Sequence, residues 1–259
     1  MQLITLDFMD LVIALGLMAI ALALSQWQRL GLEGQLILAT LRTVAQLIGV
    51  GYALNIIFAL NNPLAVGGII LCMVTIAAVA ARKRIDPKLT GILPILWGSI
   101  LISTLGVLIY VNILIIQPPD WYAPQYVIPL AGIILGNAMN GASLAGERLV
   151  STLKQQRLEV ETHLSLGATP DQTVSSYRRQ AIRTALIPTL NQMLMVGIVT
   201  LLGMITGQML SGVNPLDAAS YQILIMFMVA LANLLTSLLV TTGLSRKFFN
   251  AQAQLILPT

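Results

Sequence analysis

What this sequence has least of is charge. Asp, Glu, Lys and Arg make up only 9% of its 259 residues, where a soluble globular domain carries about 25%. So few charges cannot cover a water-facing surface, which excludes an ordinary soluble enzyme or binding module. Cysteine is absent except for Cys72, so no disulfide can close within the chain. Histidine is absent except for His163. One histidine cannot build the H-E-x-x-H pair of a metalloprotease, and His163 has no second ligand near it in sequence. Lysine occurs only at Lys83, Lys88, Lys154 and Lys247, preceded by Arg82, Pro87, Leu153 and Arg246. A P-loop needs a Gly-Lys pair to hold phosphates, so this chain does not hydrolyse ATP by that motif. No lysine lies inside an apolar run either, which removes the Schiff base of a retinal protein. No basic residue precedes the first apolar run, so that run reads as a retained helix and not as a signal peptide.

What the chain has in abundance is hydrocarbon. Hydrophobic residues make up 57% of it, and its mean hydropathy is +0.86. A bilayer span needs about 20 apolar residues. About seven runs qualify: 8–24, 36–59, 64–81, 90–116, 127–145, 186–210 and 220–243. The expected fold is therefore all-α: a polytopic membrane protein in a single domain, residues 1–259, with short connections except at about 146–185.

The bases are unevenly placed. All 14 Lys and Arg lie on alternate connections or their flanks. Arg29 and Arg42 bracket the first connection. Arg82, Lys83, Arg84 and Lys88 fill the third. Arg148, Lys154, Arg157, Arg178, Arg179 and Arg183 belong to the fifth, and Arg246 and Lys247 to the tail. The intervening connections 61–63, 117–125 and 211–220 carry none. The positive-inside rule then predicts a cytoplasmic C-terminus and an external N-terminus. It also accounts for the pI near 9.5 without nucleic acid.

The most polar stretch is "ETHLSLGATPDQTVSSYRRQAIRTALIP", residues 161–188. It parses as helix, turn, helix. Apolar residues at Leu149, Leu153, Val160 and Leu164 suit one face of a helix over 147–166. Gly167 suits the left-handed position past a helix end. Thr169 can cap the next helix, Pro170 fits its first position, Asp171 favours its positive end, and Gln172 completes a capping box. Two readings are open: a solvated loop, or a stiff element that docks a soluble partner.

Several segments carry a family resemblance. Glu161, five residues, then Gly167-Ala168, with Ile187-Pro188 about 20 residues later, resembles the coupling signature of ABC-transporter membrane subunits, with Thr162 and His163 where importers have alanines. "IPLAGIILGNAMN" (128–140), "LSLGATP" (164–170), "RTALIPTLNQM" (183–193) and "NPLDAASYQILIMFM" (214–228) resemble the FetB/YbbM family of ABC permeases over nearly the whole chain. That family is linked to iron export in bacteria and, in plants, to aluminium tolerance. The resemblance implies a permease homodimer in the bacterial inner membrane, driven by a cytoplasmic ATPase subunit. It also implies ATP and Mg²⁺ on that partner and no cofactor on this chain. Glu161, Gly167, Ala168 and the flanking Thr169, Pro170, Asp171, Arg178 and Arg179 would transmit the motion.

Candidates for a substrate path are Gln46, the span-five residues Asn137, Met139 and Asn140, and Met193, Thr200, Met204 and Gln208 in span six. With Gly197, the span-six residues fall at intervals of 4, 3, 4 and 4, one helical face. Amides and thioethers can pass a soft or borderline metal without trapping it. The same groups also serve as packing filler and as glue between membrane helices. Gly132-Gly136-Asn140 and Gly203-Gly207-Ser211 are small-residue stripes suited to close helix approach. The alternative class is a gradient-driven transporter or channel. Such proteins hold ionisable groups mid-membrane, and these spans place none there, Arg42 lying near the cytoplasmic end of span two.

Overall fold

The computed structural model describes residues 7–60, 62–200, 203–250, 252 and 254–256. The described chain is helical: α1 Phe8–Trp27, α2 Glu33–Leu60, α3 Pro63–Ile85, α4 Leu93–Val111, a short π-helical segment Asn112–Ile116, α5 Pro124–Gln155, α6 Arg157–Ser165, α7 Pro170–Met195, α8 Gly203–Leu210 and α9 Pro215–Lys247. Among the described residues, six helices are long and apolar enough to cross a membrane: α1, α2, α3, α4 with its π-helical extension, α5 and α9.

The chain forms two compact units. One holds α1 and α2 with residues 210–212. The amide of Asp7 donates to Asp10 Oδ2 (2.9 Å) to start α1. The α1–α2 turn uses left-handed backbone at Arg29 (φ 53°) and Gly31 (φ 69°). Ser25 Oγ donates to Glu33 Oε1 across it (2.9 Å). Only 6% of the apolar stretch of α1 and 0% of that of α2 is buried, so nearly the whole apolar surface of this hairpin suits hydrocarbon rather than water.

The second unit, residues 62–209 and 213–259, is a bundle centred on α5 and α9, with α3, α4 and α7 packed against them. Three glycines set the helix spacing. A Cβ on Gly141 of α5 would collide with Asn233 of α9, one on Gly146 with Ile85 of α3, and one on Gly243 of α9 with Ile95 of α4. The anticipated stripes do not do this within the chain. A Cβ on Gly132 would only touch Met73 at 3.6 Å, and one on Gly136, Gly203 or Gly207 would meet nothing within 4 Å.

α5 has 32 residues and α9 has 33, so each is about 50 Å long, against about 30 Å of hydrocarbon. Their C-terminal ends meet the α3–α4 connection. Lys154 Nζ pairs with Asp86 Oδ2 at 2.8 Å, and Lys247 Nζ donates to Gly91 O at 2.9 Å. The bases Arg82, Lys83, Arg84 and Lys88 lie at this same end. α5 and α9 therefore run parallel, each towards the basic end.

The region expected as one span over 186–210 is divided. α7 continues to Met195, and the chain then turns at Val196–Thr200 with Gly197 left-handed (φ 81°). The carbonyl of Met195 accepts from the amides of Val199 (3.0 Å) and Thr200 (3.2 Å). α8 follows from Gly203, and residues 201–202 lie outside the described set. A glycine beside the β-branched Val196, Ile198, Val199 and Thr200 is a weak helix former. The single face from Met193 to Gln208 is therefore not a single helical face. The helix anticipated over 147–166 is likewise two: α5 runs through to Gln155, and α6 restarts after a bend at Gln156 (φ −102°, ψ 24°).

Candidate functional site

Two parts of the bundle bring polar chemistry together. The first is the α6–α7 turn. Gly167 adopts φ 91°. Its amide donates to Leu164 O (3.0 Å) and the amide of Ala168 to His163 O (3.1 Å), the paired bonds of a Schellman cap. The next residue opens α7: Gln172 N donates to Thr169 Oγ1 (3.3 Å) and Thr169 N to Gln172 Oε1 (2.9 Å). A complete C-cap followed at once by a capping box leaves the turn little freedom. Glu161 pairs with Arg157 on its own helix (2.7 Å), and Asp171 with Arg178 (3.6 Å). Burial, and then the hydrogen-bonding Glu159 carboxylate, raise the Tyr177 phenol above its ordinary range, joining α6 to α7. Against this fixed polar frame, Leu158 is 79% and Leu166 81% exposed. A cleft of about 590 Å³ lies beside the turn, lined by Arg157, Glu161, Ala168 and the tail residues Gln252, Gln254 and Leu255.

The second part is a cavity of about 260 Å³ between α5, α7 and α9, lined by Asn137, Asn140, Pro188, Thr189, Gln192 and Asn233 among others. Pro188 lacks an N–H, so the carbonyl of Thr184 loses its ordinary helical donor. Asn233, 3% exposed, steadies the same turn of α7. Its Nδ2 donates to Ala185 O (3.2 Å) and Thr189 Oγ1 (2.7 Å), and its Oδ1 accepts from Ser237 Oγ (3.3 Å). Asn137 Nδ2 bonds back to Ile133 O (2.9 Å). Asn140 Oδ1 accepts from Arg84 Nη1 (2.8 Å), so a cation from α3 caps this amide. Among the described residues no three His, Cys, Asp or Glu gather into a possible metal-holding group. The cavity offers amides and hydroxyls instead.

The sequence model of the family described as "Uncharacterised protein family (UPF0014)" matches residues 8–249. The chain belongs to the UPF0014 family. It is 54% identical over 254 residues to the UPF0014 membrane protein slr1647 of Synechocystis, covering 98% of each chain. It is 33% identical over 247 residues to the probable iron export permease protein FetB of Escherichia coli, covering 95% of this chain and 94% of that one. It is 35% identical over 249 residues to the protein ALUMINUM SENSITIVE 3 of Arabidopsis thaliana, covering 93% of this chain and 87% of that one. No solved structure shows a significant match to it. With six apolar helices and membrane proteins for relatives, this UPF0014 chain is an integral multi-pass membrane protein.

Of the path residues marked in the UPF0014 sequence, only Asn137 and Asn140 share the amide cavity. Met139 is not among its lining residues. Met193 lines a separate apolar pocket. Thr200 is exposed in the α7–α8 turn and donates to Met195 O (3.3 Å), while Met204 and Gln208 lie on α8. Gln46 is exposed on α2, in the other unit. The cavity's Thr189, Gln192 and Asn233 were not singled out from sequence. Asn233 carried a legible signal, because a lone amide in an apolar run needs a partner in a bilayer.

Proposed function

We propose that this UPF0014 protein is the membrane-spanning subunit of an ATP-driven exporter. ATP and Mg²⁺ bind a separate cytoplasmic ATPase, and a permease homodimer in the bacterial inner membrane moves iron or another metal ion. The observation that carries the reading is the α6–α7 turn: doubly capped, and presenting Leu158 and Leu166 bare on an otherwise polar element. Bare leucines on a stiff, water-facing tip suit a socket on a soluble partner. Glu161, Gly167, Ala168, Thr169, Pro170, Asp171, Arg178 and Arg179 form this tip and its supports.

α7 leads from that tip to the amide cavity, where Asn233 of α9 bonds to Ala185 and Thr189 beside Pro188. A push on the turn is thereby delivered to the cavity wall. Passage of a cation requires the Arg84 bond to Asn140 to open, a step that motion of α5 against α3 supplies. Because α5 and α9 run parallel, the chain between them must return across the bundle. The reading therefore treats α7, its break and α8 as a seventh, discontinuous crossing with the C-terminus cytoplasmic. Broken membrane helices of this kind line transport sites in other transporters.

The test is metal flux in inverted vesicles that contain the permease and its ATPase. Wild type should accumulate iron only with ATP, and Asn137→Leu with Asn140→Leu should reduce flux at least tenfold while the complex still assembles. ATP-independent flux driven by an ion gradient would replace this reading with a secondary transporter.

A further inference from the structure

The amide cavity between α5, α7 and α9 constrains the form in which a metal can occupy it. None of its eight lining residues is acidic, and none is a histidine or a cysteine. No Asp or Glu occurs in residues 121–146, 172–216 or 218–259, which hold every lining residue. The charge that does stand beside the cavity is positive. Arg84 Nη1 donates to the lining Asn140 Oδ1 at 2.8 Å, and Arg84 makes no ion pair among the described residues. Arg84, Asn140 and Gln192 are all exposed, so a ligand can reach them. With Oδ1 committed to Arg84, Asn140 has its Nδ2 donors to offer. Towards the basic end of the bundle, Arg148 follows the lining Leu144 by one helical turn and Arg183 precedes the lining Ala185 by two residues, with Glu147 the one acid on these stretches.

A bare polyvalent cation is badly served by these groups. It leaves water for neutral oxygens, and no negative charge offsets its desolvation. Hard cations are held by carboxylates and other oxygen donors rich in charge, and the neighbouring guanidinium repels them. The same groups suit an anion. Arg84 and Asn140 Nδ2 can donate to its oxygens, and a cleft flanked by one sign of charge gathers the opposite sign. The volume, about 260 Å³, approaches the roughly 300 Å³ at which small-molecule pockets begin. We propose that the metal crosses this cavity as a complex of net negative charge, with carboxylate or phosphate ligands whose oxygens accept from Arg84 and Asn140. An oxygen of the complex replaces Asn140 Oδ1 on Arg84, so loading the cavity breaks this bond between α3 and α5. The inference rests on the exporter reading and names the form of its cargo.

Inverted vesicles with the permease and its ATPase are given ferric citrate or ferric pyrophosphate, each labelled on both metal and ligand, or labelled ferrous iron without a chelator. Wild type should accumulate iron together with citrate or pyrophosphate, and only with ATP. Citrate assigns carboxylate oxygens and pyrophosphate assigns phosphate oxygens. Unchelated iron should move at least about tenfold more slowly, the effect of losing one charge-assisted hydrogen bond. Arg84→Lys, Arg84→Gln and Arg84→Glu should lower flux of the complex in that order, by about tenfold or more at Glu. The ATPase should still copurify with each variant, and the flux of unchelated iron should not fall. The wild-type comparison decides the matter even where a variant folds poorly. Iron flux without the ligand label, unchelated iron moving as fast as the complex, or equal loss of both in Arg84→Glu overturns the proposal and leaves the exporter standing. So does ligand accumulating equally well without iron, which would make the free anion the cargo. No ATP-dependent accumulation of either label in any arm defeats the exporter reading, and the inference with it.

Discussion

Replacing Gly141 with alanine should unseat Asn233, and removing Asn233 should cure the damage. The new Cβ would overlap Asn233 Oδ1 and stand 2.8 Å from its Cγ and 3.3 Å from Ser237 Oγ. Asn233 cannot swing aside freely, because its Nδ2 is held by Thr189 Oγ1 and Ala185 O. Either those bonds break or α5 and α9 separate. Hydrogen bonds between membrane helices are worth about 0.6 kcal/mol on average and up to about 1.7. Overpacking adds about 1–3 kcal/mol. Gly141→Ala should therefore cost about 2–4 kcal/mol. Asn233→Ala loses the same bonds and opens a small cavity, at about 1–3 kcal/mol. In the double variant the methyl group introduced on α5 enters space that the amide has left. The pair should be no less stable than Asn233→Ala alone, a coupling of about 2–4 kcal/mol, well above the roughly 0.3–0.5 kcal/mol scatter expected of independent sites. Reversible unfolding in mixed micelles, with SDS as denaturant, measures all four corners of the cycle. Additive losses would refute the close approach of α5 to α9 at this point.

Two further outcomes follow from the basic end of the bundle. The Lys154 ammonium and the Lys88 amide, both donating to Asp86, hold its carboxyl below the usual range despite opposing desolvation. A carboxyl with a lowered folded-state pKa stabilises above its unfolded value, near 4, and that contribution is lost as pH falls through the folded value. Asp86→Asn should therefore lower stability at neutral pH and flatten its decline below about pH 4; an unchanged acid slope would show that the Lys154 pair is inert. In a background with Cys72→Ala, which removes the exposed native thiol, Val213→Cys should react with an impermeant thiol reagent from outside and Gln156→Cys only after permeabilisation. Reversed labelling would invert the orientation and detach the turn from any cytoplasmic partner.

Local chemistry was the legible part of this chain. Long apolar runs located α1 to α4 and α9 to within about five residues at each end, but gave only the start of α5, which continues to Gln155, ten residues past the expected span. Thr169, Gln172 and Gly167 spelled out both caps of the turn, because capping depends on residues three or four apart. What escaped depends on neighbours in space. Gln155-Gln156-Arg157 contains no breaker, so the bend between α5 and α6 has no local signal. Hydropathy over 186–210 is blind to backbone, so the break at Gly197 was hidden inside an apolar run. The glycines that set helix spacing, Gly141, Gly146 and Gly243, are identified by the partners they meet, Asn233, Ile85 and Ile95. The regular stripes drew attention to Gly136 and Gly207 instead, where an added Cβ would meet nothing within 4 Å. The amide cavity joins three helices, and only its α5 members were conspicuous in sequence.

The claim that matters most is that a separate ATPase drives this permease through the α6–α7 turn. Affinity purification of the tagged chain from its native membrane, followed by mass spectrometry of what copurifies, tests it directly. A Cβ at Gly167 has open space around it, but φ 91° is left-handed and would strain a valine by about 1–2 kcal/mol, while asparagine tolerates that region. Wild type and Gly167→Asn should bring down a soluble P-loop ATPase. Gly167→Val should reach the membrane in normal amount and either lose that partner or fail to stimulate its ATP hydrolysis. Recovery of no ATPase with wild type, or equal recovery and stimulation with Gly167→Val, would contradict the account.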